Sequence, residues 1–277
     1  MRILLVGIGY VGSALADMLV SAGQEVFGLR RSDRALPAGV TPLVGDVTRD
    51  EGWDRLPAGI EQIVYAVSPA RRSEAAYREV YVEGLERVRS RVPDARLLLV
   101  SSTAVYGDPT TEQVDERTPL GALDGPSSEL ARAEHVWPSE RSVILRASGI
   151  YGPGRTQLLA RLLHGDLTRE ERSATGNRIH RDDLARCLAF FIERPELQGV
   201  FNASDTDPAP LGQMADWLAA RNVPANLLRH LPSAREPRSR KNRTVSSRKL
   251  QEAGFVFSYP TFREGYAAIL AALESRA

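Results

Sequence analysis

Residues 2–12 read RILLVGIGYVG. A short apolar run, Ile3 to Val6, enters Gly7-x-Gly9-x-x-Gly12, and a helical pattern follows. In that order the three glycines have separate tasks. Gly7 permits a tight turn, Gly9 lets the backbone approach a pyrophosphate, and Gly12 lets the helix pack close to the strand. Tyr10 and Val11 open the helix, whose free N–H groups and positive dipole end favour phosphate. The spacing therefore predicts a dinucleotide site at the start of the chain.

The end of the second predicted strand sets the choice of dinucleotide. An acid there bonds the adenosine ribose of NAD. This chain has Arg30-Arg31-Ser32 instead. Two guanidiniums and a hydroxyl match a 2′-phosphate. NADP(H) is the preferred cofactor, with NAD(H) as the alternative.

The rest of the first half repeats the strand-helix alternation. Apolar runs near 2–6, 25–29, 41–44, 62–66, 96–100 and 142–146 predict strands. Helical patterns fall near 10–22, 73–91 and 127–137. This alternation predicts an α/β fold, a Rossmann-type doubly wound parallel sheet with right-handed crossovers. Further helices are predicted near 156–164, 181–193, 210–221, 247–253 and 261–275, with a strand at 200–202. In the 73–91 segment Ala76, Val80, Gly84, Leu85 and Val88 form a one-sided stripe. It packs on the sheet or pairs with a second copy in a homodimer.

Composition narrows the partners. A formal charge of +1 on 277 residues gives no general attraction to nucleic acid or to anionic membrane. No apolar run reaches spanning length, and the first residues lack the pattern of a secretory signal. One cysteine, Cys187, fits a reducing, cytoplasmic setting. Its apolar helical context reads as a buried thiol. Residues 233–249 carry seven basic side chains against one acid, Glu236. They form either a solvated loop or a clamp for a phosphate-bearing ligand. No aromatic residues interleave with them as nucleic-acid binding requires.

Taken together these segments resemble the extended short-chain dehydrogenase/reductase family of the NAD-dependent epimerase/dehydratase type. GIGYVG is similar to its glycine motif. Gly45-Asp46-Val47 is similar to its adenine-contacting turn, and Tyr65-Ala66-Val67-Ser68 to the strand end beneath the cofactor. LLVSSTAVYG (98–107), ILRASGIYGPG (144–154) and RIHRDDLA (178–185) resemble three further family segments. The resemblance implies a small, discontinuous C-terminal substrate lobe. Residues 1–150 and about 178–203 would bind the nucleotide; about 151–177 and 204–277 would form the reduced substrate lobe. It also implies cofactor contacts from Asp46, Val47, Ala66, Val67 and Ser68.

The family's catalytic Asn, Ser/Thr, Tyr and Lys are only partly matched. Ser102 stands at the Ser/Thr position, as the substrate-orienting residue. Counting back from Ala133-Glu134 places the tyrosine at Pro126 and the lysine at Leu130; the Asn position falls on Tyr81. The chain has two lysines, Lys241 and Lys249, and no tyrosine has a lysine four residues later. Tyr151 and Tyr259 have arginines there, Arg155 and Arg263. A free phenol has a pKa of about 10, and bringing it to neutrality takes roughly 4 kcal/mol, which the lysine charge normally supplies. Tyr106, Tyr151, His135 and His180 are the candidate replacement acids. No metal-ligand cluster or Gly-x-Ser-x-Gly elbow is present. Two readings follow. One is an NADP(H)-dependent oxidoreductase or epimerase-like enzyme for a small polar or nucleotide-sugar-like substrate. The other is a non-catalytic NADP(H) redox sensor or scaffold.

Overall fold

A computed structural model describes residues 1–31, 35–53, 55–108, 111–121, 123–221 and 243–275. Seven parallel strands form its central sheet. They are β1 (Arg2–Val6), β2 (Glu25–Arg30), β3 (Thr41–Val44), β4 (Gln62–Tyr65), β5 (Arg96–Ser102), β7 (Ser142–Ala147) and β10 (Gly199–Ala203). Their order across the sheet is β10-β7-β5-β4-β1-β2-β3. From β1 the chain builds outward through β2 and β3, then returns to the other side at β4. Ile3 pairs with Val26 on one side and Gln62 on the other. A crevice opens where the order reverses, at the carboxyl ends of β1 and β4.

Both faces of this sheet are covered, so the inner strands are apolar throughout rather than alternating. Ile3, Leu4, Leu5 and Val6 are all buried. On one face, α1 (Tyr10–Ser21) packs with α7 (Arg181–Ile192) over Leu5, Leu98 and Leu145. On the other, Leu85 and Val88 of α3 (Gly84–Arg91) and Leu130 of α4 (Gly125–Ala133) pack over Leu4, Ile63 and Leu97. The apolar stripe at 84–88 thus faces its own sheet. A third core gathers Tyr151, Leu159, Met214, Phe262 and Tyr266. It unites α5 (Gln157–His164), α8 (Leu211–Ala219) and α10 (Phe262–Glu274).

Short pairings tie the later chain to the sheet. β8 (Gly149–Tyr151) pairs with β9 (Arg178–His180), and β6 (Gln113–Val114) with β11 (Thr244–Val245). Among the described residues the remaining α-helices are α6 (Arg169–Ser173) and α9 (Arg248–Glu252).

The segment expected as one helix over 73–91 is interrupted. After α2 (Glu74–Tyr77), residues Arg78–Glu83 wind as a π-helix before α3 begins. The Tyr65 hydroxyl, rising from β4, donates to the Val80 carbonyl. That side chain needs the space beside Gly84, where a Cβ would lie 2.5 Å from the Tyr65 oxygen and 3.2 Å from Val47 Cβ. Gly84→Ala should therefore destabilise the fold by about 1–3 kcal/mol, as overpacking does. Tyr65→Phe in the same background should recover part of that loss, and urea denaturation of the single and double variants checks both.

Candidate functional site

Above the strand-order reversal lies a cavity of about 820 Å³. Its floor is the glycine turn. Gly7 has φ +96°, and a Cβ there would meet the Ala66 carbonyl oxygen at 2.8 Å. Gly12 does not line the cavity; it lets α1 start against the turn. Gly9 precedes α1, and the first turn of the helix has no acid.

Most of the cofactor residues expected from the sequence meet here. Gly7, Gly9, Tyr10, Val11, Arg30, Arg31, Asp46, Val47, Ala66, Val67 and Ser68 all line the cavity. Arg30 is half-buried, and its Nη1 donates to the Ala35 carbonyl at 3.1 Å. Arg31 is exposed. Oδ1 of Asp46 accepts the Thr48 amide and hydroxyl, each at 3.0 Å, which fixes the turn after β3. Ser32, Lys241 and residues 233–242 of the arginine-rich stretch lie outside the described residues.

Ser102 lines the same cavity at the end of β5. Its oxygen accepts the Ala104 amide at 3.1 Å. That contact occupies a lone pair and leaves the hydroxyl proton available. Ser101 next to it is committed elsewhere, donating to Glu134 Oε1 at 2.6 Å.

The candidate acids are placed differently from the sequence expectation. Tyr106 is fully buried and faces β10, where its hydroxyl donates to Asn202 Oδ1 at 2.7 Å. Burial raises its pKa. Tyr151 stacks on Tyr266 in the third core, and burial raises its phenol as well. His180 caps α7, its Nδ1 accepting the Asp182 amide at 3.3 Å; burial lowers its pKa. None of the three lines the cavity. His135 is exposed beyond the end of α4. Helix direction and ring packing turn these groups away, which residue type alone does not reveal.

Pro126 and Leu130, at the Tyr and Lys positions, do not line the cavity either. Leu130 is a core residue. Lys249 donates from Nζ to the Val200 carbonyl at 2.6 Å, on the far edge strand β10. Tyr81, at the Asn position, lines the cavity but donates its hydroxyl to the Val67 carbonyl at 2.9 Å.

Among the lining residues absent from the expected site are Tyr77, Ser148 and Arg155. Ser148 is 4% exposed, and its hydroxyl has no hydrogen-bond partner among the described residues. Arg155 seats its guanidinium 4.1 Å from the centre of the Tyr10 ring. The GPG turn before Arg155 was the available signal. No group of three or more His, Cys, Asp or Glu residues could hold a metal among the described residues.

A family model described as the NAD dependent epimerase/dehydratase family matches residues 3–204. The chain belongs to that family. It is 26% identical over 280 residues to Protein YeeZ of Escherichia coli (strain K12), covering 94% of this chain and 96% of that protein. It is 30% identical over 227 residues to the 4-hydroxy-2-methyl-3-oxo-4-farnesyl-3,4-dihydroquinoline-1-oxide ketoreductase of Stigmatella aurantiaca, covering 74% and 68%. A solved structure from Methylobacillus flagellatus, described as of the NAD-dependent epimerase/dehydratase type, is 35% identical. It superimposes with a TM-score of 0.82 over 99% of this chain and 98% of that one. Among the described residues, no helix is long and apolar enough to cross a membrane.

One buried acid stands apart from the cavity lining. Asp205, just past β10, is 1% exposed and forms no ion pair within 4.0 Å of a cation among the described residues. Burial pushes its pKa up to about 8, against the nearby Arg178. The native state therefore keeps a proton that the unfolded chain releases at about pH 4. Stability on this account is full below that pH and falls as pH rises towards 8, by roughly 1.4 kcal/mol per pH unit. Asp205→Asn should remove this dependence. Denaturation midpoints of the variant should gain on those of the parent between pH 5 and 8, and parallel profiles would sink the assignment.

Proposed function

We propose that the cavity binds NADP(H), and that the protein is an oxidoreductase or epimerase-like enzyme acting on a small polar or nucleotide-sugar-like substrate. The observation that carries this reading is one cavity running from the glycine turn and Arg30-Arg31 to Ser102 and Ser148. Its residues fit the group. The turn and the start of α1 suit the pyrophosphate. Arg30 and Arg31 suit a 2′-phosphate, Asp46 and Val47 the adenine, and the orphaned Ser148 hydroxyl a ligand oxygen or amide. The described residues of the segments at about 151–177 and 204–277 would supply the substrate side.

When bound, the nicotinamide supplies or takes up a hydride. The chain's own part is to hold the substrate oxygen and move a proton. Ser102, its oxygen held by the Ala104 amide, donates to the substrate oxygen. Tyr77 is the non-standard proton donor, since its phenol lines the cavity and makes no side-chain hydrogen bond to a described residue. The ketoreductase named for Stigmatella aurantiaca supports carbonyl chemistry. The second reading, an NADP(H) sensor without chemistry, is favoured by the placement of Pro126 and Leu130 outside the cavity.

Arg30→Ala and Arg31→Ala should each weaken NADPH by about tenfold or more while leaving NADH within about twofold, the scale of a lost charged hydrogen bond. Calorimetry with both cofactors checks this, and equal losses remove the 2′-phosphate assignment. Tyr77→Phe should lower kcat by roughly 10²–10⁴ with NADPH affinity retained. Absorbance assays with NADPH over a panel of carbonyls and nucleotide sugars provide the substrate. Tight NADPH binding without turnover on any of them favours the sensor.

A further inference from the structure

Among the described residues, three arginines and one aspartate supply the charge in the cavity lining: Arg30, Arg31, Arg155 and Asp46. Arg30 and Arg31 stand at the end of β2, on the side where the sheet runs out to β3. Arg155 comes from the opposite side, following β8 and the β7 strand end. It crosses to the start of α1 and lies over Tyr10, the first residue of that helix. The Arg155 amide donates to the Gly152 carbonyl at 3.1 Å, so a closed turn carries it there.

Arg181 approaches the same ring at 5.2 Å but is bound to Asp182 at 2.7 Å. Arg155 has no ion pair with any described residue. Contact with a ring face holds a guanidinium through the π charge without consuming its fork of donors. An uncommitted cation is thus fixed beside the open end of α1. On the same side of the cavity, the buried Ser148 hydroxyl has no partner among the described residues. A cationic ligand would be repelled by the Arg155 guanidinium, and an anion would match both its charge and its donors.

We infer that Arg155 is a phosphate receptor, taking a phosphate oxygen of the ligand in the cavity. It closes from the β7–β8 side the cradle that α1 opens from the other. This inference rests on the dinucleotide reading above. Two ligands bring that chemistry, the pyrophosphate of the dinucleotide and a phosphorylated substrate. Its seat on Tyr10, at the helix start, favours the pyrophosphate.

Calorimetry on the full chain tests this with Arg155→Ala and Arg155→Lys. The probes are ADP-ribose, which carries the pyrophosphate, and adenosine 5′-monophosphate, which lacks the distal phosphate. Uridine 5′-diphosphate, added after saturation with NADPH, stands for a phosphorylated substrate. Arg155→Ala should weaken ADP-ribose by about 10–100-fold and the monophosphate by less than about twofold. Arg155→Lys should restore part of the loss, since it keeps the charge and not the fork. Arg155 is exposed, so the unliganded melting temperature should not move. A loss confined to uridine diphosphate assigns the receptor to the substrate's phosphate. Unchanged affinity for both ADP-ribose and uridine diphosphate overturns the proposal. No heat from the parent protein with ADP-ribose overturns the dinucleotide reading, and the receptor with it.

Discussion

The carbonyl oxygen of Gly7 occupies the place where a side chain at residue 12 would begin. A Cβ on Gly12 would lie 2.2 Å from it. No rotamer relieves a clash between a Cβ and a backbone oxygen, so α1 can start against the turn only if residue 12 has no side chain. The same turn brings Gly7 against the Ala66 carbonyl at the end of β4. The cavity floor is consequently backbone, drawn from both strands at the reversal of strand order. A floor of this kind survives wide change in the side chains around it. That is how the chain keeps the family's cavity with a proline and a leucine at the Tyr and Lys positions.

The helix that carries those two positions has a second reason to persist. Glu134, at its C-terminal end, accepts Arg146 Nη2 at 2.7 Å and the Ser101 hydroxyl at 2.6 Å. Both partners are buried and lie on the neighbouring strands β7 and β5. Leaving one member of such a buried pair unmatched costs about 3–5 kcal/mol. Arg146 in turn sits 4.9 Å from the Tyr106 ring, whose hydroxyl reaches Asn202 on β10. The motif residues around the lost dyad therefore hold helix α4 and strands β5, β7 and β10 in register. Their resemblance to family segments reflects this packing as well as chemistry. A resemblance in those segments does not by itself report catalysis.

The sheet was legible in the sequence because a strand covered on both faces is an unbroken apolar run. Ile3–Val6 and Leu97–Leu99 are such runs, bounded by turn residues. The two-residue pairing of β6 with β11 was not, because Thr244 meets Gln113 across more than a hundred residues and neither segment has strand periodicity. The π-helical turn was hidden for the same reason. Its Val80 carbonyl accepts the hydroxyl of Tyr65, a residue on another element. At the site, the glycine turn and the arginines after β2 could be placed at the cavity because their positions follow from backbone or from place along a strand. Tyr106, Tyr151 and His180 could be read only as residue types. Which way each ring points was decided by Asn202, Tyr266 and the Asp182 amide, and no local pattern encodes those contacts. Arg155 and Tyr77 reach the cavity through a turn and a short helix whose directions are likewise tertiary.

Binding and proton transfer are therefore separable on this scaffold. In the proposed reading, binding would draw on backbone, on the start of α1 and on the arginines of the cavity, none of which involves the missing phenol and ammonium. Proton transfer needs a hydroxyl that faces the ligand and is not already spent. Three phenols line the cavity. Tyr81 gives its proton to the Val67 carbonyl, and burial raises its pKa. Tyr10 presents its ring to the cavity while its hydroxyl oxygen is out of contact with solvent, and burial raises its pKa against the two arginines beside it. Tyr77 is spent in neither way. It is also the last residue before the π-helical turn, where the Val80 carbonyl accepts the Tyr65 hydroxyl and so ties the next turn of the same helix to the sheet.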